Sequence, residues 1–306
     1  GGYGRGLLAP FSDIALLFLT PDTPAGDIRD CVEYILYFLW DLGLKVGHAT
    51  RTINECIAEA EADTTVRTTL LDARFLTGSA TLFAMFEARY IVACVRAGAD
   101  RFITDKRKER AARHHRFGDS PYLVEPNVKE GRGGLRDLQT LYWMCRYTFG
   151  TRHVSDLLAP GFSELGLLTE QEAKRARRAW DFLWRVRFHL HYVSGRAEER
   201  LTFDVQPVVG GRMGYTRHGR QVGVERFMRH YFLTVRDVMR LTLVLEPAVL
   251  RQALGPVANA PEADSQMRDA GFTVLDGRIL PQRGTSFEDE PIQMMRLLDW
   301  AKKRKL

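Results

Sequence analysis

The stretch Asp13 to Leu19, Asp-Ile-Ala-Leu-Leu-Phe-Leu, lies between Pro10 and Pro21 and holds no polar residue after its first. A short apolar run closed off in this way reads as a buried strand, and the neighbouring elements must cover it. Asp27 to Asp41 places apolar residues at Ile28, Cys31, Val32, Ile35, Leu36 and Leu39, the spacing of a helix, which Gly43 ends. Leu44 to Thr50 reads as a second strand and Thr52 to Glu61 as a second helix. Thr68 to Phe75, β-branched and then apolar, reads as a third strand closed by Gly78. Strand, helix, strand, helix, strand is the pattern of an α/β sheet.

After Gly78 the periodicity turns helical. Thr81 to Ala97, a basic stretch from Lys106 to Arg116, Leu138 to Phe149, Thr169 to Ser194 and Val224 to Val249 all carry apolar faces or helical composition. From Gly255 to Asp289 the periodicity fades, apart from a small hairpin at Phe272 to Leu280, and Pro291 to Lys303 starts another helix. The expected architecture is an α/β (α+β) domain with a small mixed sheet over residues 1–100. A mainly helical domain follows over 101–250, then a linker and the start of a further region over 251–306.

The net charge of +6 suits acidic partners, but the Lys and Arg are spread along the whole chain rather than gathered on one segment. The four cysteines, Cys31, Cys56, Cys94 and Cys145, show no metal-ligand spacing and read as buried free thiols. The longest apolar run, Val32 to Leu44, is interrupted by Glu33 and Asp41 and is too short to span a bilayer. With no signal peptide visible, a cytoplasmic protein is expected. The chain opens on Gly1-Gly2 without a methionine, which reads as the loss of an upstream segment.

The chemistry gathers at the opening. Gly1-Gly2-Tyr3-Gly4-Arg5-Gly6 is a glycine-rich turn whose backbone N–H groups could approach a phosphate, with a forked cation beside it; most such turns are only turns. Asp13 then begins the first strand. Carboxylates at positions 13 and 15 would point to one face and could hold two divalent cations, but position 15 is Ala. Asp72, on the third strand, is either a further carboxylate of that site or the partner of Arg74 two residues on.

Four segments carry a resemblance to a known family. They are Gly1 to Leu19, Trp40 to His48, Tyr122 to Gln139 (Tyr-Leu-Val-Glu-Pro-Asn-Val-Lys-Glu-Gly-Arg-Gly-Gly-Leu-Arg-Asp-Leu-Gln) and Gly195 to Phe203. Two glycines, a spacer and a strand with alternating carboxylates resemble the DNA-polymerase-β-like nucleotidyltransferases. All four segments together resemble the bacterial PII uridylyltransferase/uridylyl-removing enzymes. The resemblance implies a nucleotidyltransferase domain over 1–100. It also implies transfer of UMP from UTP, with Mg2+, to a tyrosine of the nitrogen-signalling protein PII, with neither nucleic acid nor membrane as partner. By the same resemblance Gly1, Gly2, Arg5 and Ser12 surround the nucleotide, Asp13 and Asp72 bind magnesium, and Lys129 and Arg136 of the third segment lie near the active site.

Two departures bear on activity: Ala15 where the family has Asp, and Leu7 where it has Glu. The expectation is a chain that binds nucleotide and is severely impaired in transfer. A non-catalytic binding protein that kept the fold is the alternative, as is an adenylyltransferase of the related glutamine synthetase-modifying type. The eight histidines include no His-Asp dipeptide, so neither the family's UMP-removing hydrolase nor its glutamine-sensing modules are assigned to these residues.

Other features have plainer readings. Gly131 to Asp137 reads by itself as a helix start, and the resemblance moves it towards the active site. Lys106 to Arg116 lacks interleaved aromatics and reads as a solvated helix face. His189 and His191 diverge on a helix, and Trp180, Phe182, Trp184 and Phe188 read as core.

Overall fold

The computed structural model describes residues 2–23, 26–96, 98–150, 168–219, 221–254, 265–269, 271–275, 278–281 and 291–304. It divides into two compact units, Gly1–Val249 and Leu250–Leu306.

The first unit opens as expected with β1 (Ile14–Leu19), α1 (Ile28–Asp41) and β2 (Val46–Arg51). The two strands pair in parallel, from Ile14 opposite Val46 to Leu19 opposite Arg51. Gly43, at φ 76°, supplies the left-handed turn that releases the chain from α1. Strand β1 is only partly covered, with Ala15 exposed, because among the described residues of this unit its sheet has two strands. The sheet is therefore parallel, not mixed.

Helix α2 (Ile53–Ala62) starts on a capping box. The Thr52 hydroxyl accepts from Glu55 N–H at 3.2 Å, and the Glu55 carboxylate accepts from Thr52 N–H at 2.7 Å. The expected third strand at Thr68 to Phe75 does not form. A helix, α3 (Thr64–Leu71), takes its place. Asp63 starts it by accepting from the N–H groups of Thr65 and Val66, at 2.5 and 3.0 Å. The hydroxyls of Thr68 and Thr69 donate back to the carbonyls of Thr64 and Thr65, so the β-branched residues satisfy themselves within the helix. Burial falls on Arg67, Thr68, Leu70 and Leu71, a helical rather than an alternating pattern. Asp72 thus caps a helix C-terminus instead of standing on a strand.

The described residues that follow are mainly helical: α4 (Ala80–Tyr90) with a π-helical turn at Ile91–Arg96, α5 (Ala99–Arg116), α6 (Leu135–Phe149), α7 (Glu170–Ser194), α8 (Gln206–Arg212) and α9 (Gly223–Leu254). Eleven of the fifteen residues of α6 are buried, which makes it the central helix of the unit; it packs on α5 and α7. Tyr147 of α6 stacks on Phe102 of α5 with ring centroids 3.8 Å apart, and its hydroxyl meets that of Tyr90 at 3.2 Å. Trp180, Phe182 and Trp184 are buried on α7, as expected. Cys56, Cys94 and Cys145 are buried thiols, whereas Cys31 is exposed.

In the second unit, α10 (Ser265–Asp269) precedes the expected hairpin, β3 (Phe272–Leu275) and β4 (Arg278–Pro281), and α11 (Ile292–Arg304) comes after it. Met267 and Phe272 form its core, with Val274, Ile279, Leu297 and Trp300 against them. No helix among the described residues is long and apolar enough to cross a membrane.

Candidate functional site

A cleft of about 870 Å³ opens in the first unit, between the opening segment, α3, α5, α6 and α7. Its first wall is the glycine turn. Leu7 N–H donates to the Gly2 carbonyl at 2.9 Å, and a Cβ on Gly2 would lie 2.6 Å from the Leu7 carbonyl oxygen, so only glycine closes this turn. Phe11 adopts φ 60°, a left-handed conformation costly for a side chain of its size, just before Ser12 and Asp13 reach the cleft. The Ser12 hydroxyl is buried without a hydrogen-bond partner. Asp13 is exposed, and Ala15, also exposed, presents a methyl group.

At the back of the cleft, Asp72 is 2% exposed. Arg5 pairs with its carboxylate, Trp143 of α6 donates its indole N–H to both oxygens, and the Arg146 guanidinium lies 3.9 Å away. Arg74, the neighbour two residues on, is not the partner. It donates to the Tyr3 carbonyl at 3.2 Å and lies over the Tyr3 ring. Trp143 is also surrounded by cations: Arg5, Lys106 and Arg136 lie 5.3, 5.0 and 5.6 Å from its ring centroid.

The wall of α5 and α6 corrects the reading of Lys106 to Arg116 as a solvated face. Lys106 and Arg113, seven residues apart on one side of α5, are buried and line the cleft. Arg113 donates to Asp137 at 2.5 Å, His114 lies 2.9 Å from the same carboxylate, and Gly133 N–H donates to it at 2.8 Å. This anchors the Gly131 to Gly134 loop. A Cβ on Gly133, at φ 77°, would lie 2.5 Å from Cγ1 of Val235 in α9, so the loop packs where only glycine fits. Glu130 accepts from Arg136 at 3.1 Å and lies 3.5 Å from Lys129.

The segment after α7 closes the site. Val128 N–H donates to the Glu199 carbonyl at 2.8 Å and Leu201 N–H to the Pro126 carbonyl at 2.9 Å, so the third and fourth segments of the resemblance pair directly. Arg187 of α7 grips the Glu199 carboxylate in a fork at 2.5 and 2.9 Å. His191, fully buried, bonds the Pro10 carbonyl through Nδ1 and turns Nε2 towards Glu199 at 3.5 Å. Burial alone would raise Glu130, Asp137 and Glu199. The hydrogen bonds and charges of Arg136, of His114 and Arg113, and of His191 and Arg187 outweigh it, and all three stay below the ordinary carboxylate range, Glu199 at about 2.

Of the residues expected at the site, Gly2, Arg5, Ser12, Asp13, Asp72, Lys129 and Arg136 all line this one cleft. Gly1 lies outside the described residues. Sequence reasoning missed Trp143, Lys106, Arg113, Arg187 and Glu199. The signals were the seven-residue spacing of Lys106 and Arg113 and, for Glu199, its place in the fourth segment of the resemblance. Eight Lys and Arg face five carboxylates in the lining, so the cleft carries an excess of positive charge suited to a phosphate chain.

Position 15 offers no oxygen, Asp72 is committed to Arg5 and Trp143, and among the described residues no three His, Cys, Asp or Glu side chains converge on a metal position.

Residues 101–245 match the family model described as GlnD PII-uridylyltransferase. The chain is 53% identical over 322 residues to the bifunctional uridylyltransferase/uridylyl-removing enzyme of Gluconobacter oxydans (strain 621H), covering 100% of this chain and 33% of that protein. It is 45% identical over 309 residues to the protein of the same name in Azospirillum brasilense, covering 98% of this chain and 32% of the relative. The Rhodospirillum rubrum protein is 46% identical over 304 residues, with the same coverage. The chain spans about a third of the length of these relatives. By this match and by similarity along its whole length, the chain belongs to the GlnD PII-uridylyltransferase family.

Proposed function

We propose that the cleft binds UTP and serves transfer of UMP to a tyrosine hydroxyl of the PII signalling protein, and that Ala15 leaves this step severely impaired in the present chain. The observation that carries the reading is the convergence of Gly2, Arg5, Ser12, Asp13, Asp72, Lys129 and Arg136 on one cationic cleft, from segments far apart in sequence. Buried donors without partners, Ser12 Oγ and Arg5 Nε, suit phosphate oxygens, and the glycine turn allows close approach of the backbone. The uridylyl group and the PII target follow from the names of the family model and of the relatives.

The test is a transfer assay with PII, UTP and magnesium, run beside calorimetric UTP binding. UTP should bind, while transfer should lie about 10²-fold or more below that of an Ala15→Asp chain, the scale on which losing one charge-stabilising group slows an enzyme. Equal turnover by the two chains would refute the assignment of position 15. A second reading, a binding protein without catalysis, is favoured by the commitment of Asp72 to Arg5 and Trp143. It is distinguished by UTP binding with no transfer in either chain. Preference for ATP over UTP would favour the adenylyltransferase alternative.

A further inference from the structure

We propose that the wall built by α5 and α6 is a subsite for a phosphate oxyanion that needs no divalent cation, its donors being Lys106 and Arg113 of α5 and Arg136 at the start of α6. The inference rests on the reading of the cleft as a nucleotide site and adds where, and by what charges, the phosphate chain is held.

The first support is burial. The side chains of Lys106 and Arg113 are 3% and 8% exposed, and a cation taken out of water is costly unless something compensates it. The partners present compensate only in part. Glu109 accepts from Lys106 at 2.7 Å but is itself half in solvent, and Asp137 takes one nitrogen of Arg113. The other two nitrogens of that guanidinium, Nε and Nη1, are buried with no hydrogen-bond partner. The Glu130 carboxylate lies 3.8 Å from Nε, beyond hydrogen-bond reach, and is held instead by Arg136. Two directional donors fixed by a rigid fork are complementary to a multi-oxygen anion.

The second support is clustering of like charge. Lys106 is pushed below the ordinary lysine range, first by burial, and Arg136 and Arg113 add repulsion that Glu109 opposes. An anion among the three would relieve that repulsion. Trp143 holds the arrangement in place, with Lys106 and Arg136 both over its ring. These side chains would neutralise phosphate charge without a metal ion.

Inorganic phosphate and the chain of a nucleotide share this chemistry, so the experiment uses both. Tripolyphosphate, orthophosphate and UTP are titrated calorimetrically into the 306-residue chain in EDTA, and UTP again with magnesium. Lys106→Met removes the ammonium and leaves Glu109 reaching solvent; Lys108→Met makes the same charge change on the exposed side of α5. Arg136→Gln gives the same reading should Lys106→Met unfold.

Tripolyphosphate and UTP should both bind in EDTA, more tightly than orthophosphate. Lys106→Met should weaken both by roughly tenfold or more, and Lys108→Met by less than about twofold. UTP binding only with magnesium, or unchanged affinity in Lys106→Met and Arg136→Gln, would overturn the subsite and leave the nucleotide reading standing. Equal losses in Lys106→Met and Lys108→Met would reduce the effect to net charge and also overturn it. Failure of UTP to bind under either condition would overturn both readings.

Discussion

Trp143 donates its indole N–H to both carboxylate oxygens of Asp72, at 3.2 and 3.1 Å, across 71 residues of sequence. The same carboxylate is paired with Arg5, so one buried acid ties together the opening turn, the end of α3 and the central helix. Trp143→Phe keeps most of the ring and removes the donor while Arg5 still neutralises the acid. Urea denaturation should show a loss of about 1–2 kcal/mol. Unchanged stability would mean that the indole bond contributes nothing to the junction.

Ala15→Asp should be accepted without structural cost. Ala15 is exposed, and its partner across the strands is Gly47, where even an added Cβ would meet nothing within 4 Å. The melting temperature should shift by no more than about 2 °C, as for most surface substitutions. A large fall in melting temperature would show that the open face of β1 is not open.

Glu199 gives an acid-sensitive part of the stability. Its folded pKa, about 2, is depressed from 4.5, so the stabilisation is fully present above about pH 4.5 and is lost as pH falls towards 2. Glu199→Gln should cost on the order of 2–3 kcal/mol at pH 7, because Arg187 loses its buried partner, and the gap from the parent should shrink at low pH. Denaturation curves at pH 7 and pH 3 measure both; a gap independent of pH would contradict the assignment.

Gly133→Ala places a methyl group 2.5 Å from Val235 Cγ1 and 2.9 Å from the Val235 carbonyl oxygen, at a backbone φ of 77°. Destabilisation of about 2 kcal/mol or more is expected from strain and overpacking. UTP affinity should fall with it, since the displaced loop lies between Lys129 and Arg136. Normal stability in a thermal melt would argue against the close packing of this loop on α9.

The early elements were legible because several local signals agreed there. The apolar run of β1, the 3.6-residue spacing of α1, Gly43 and the Thr52 box each specify their own neighbourhood. Thr68 to Phe75 misled because its composition favours a strand while the Asp63 cap and the hydroxyl back-bonds favour a helix. Lys106 and Arg113 looked like solvent-facing charge because composition does not say which side of a basic helix is covered. The packing of α6 and neighbouring elements against α5 buries them.

By itself, the order of residues determined the glycine turn, the strand that follows it, the helix boundaries set by local caps, and the alanine at position 15. All of these depend on neighbours within a few positions. The tertiary structure alone decided that Asp72 answers Arg5 and Trp143 rather than Arg74, that Glu199 answers Arg187, and that seven dispersed residues share one cleft. Ion pairs across long sequence separations follow from which surfaces are excluded from water together, and that is a property of the packed chain.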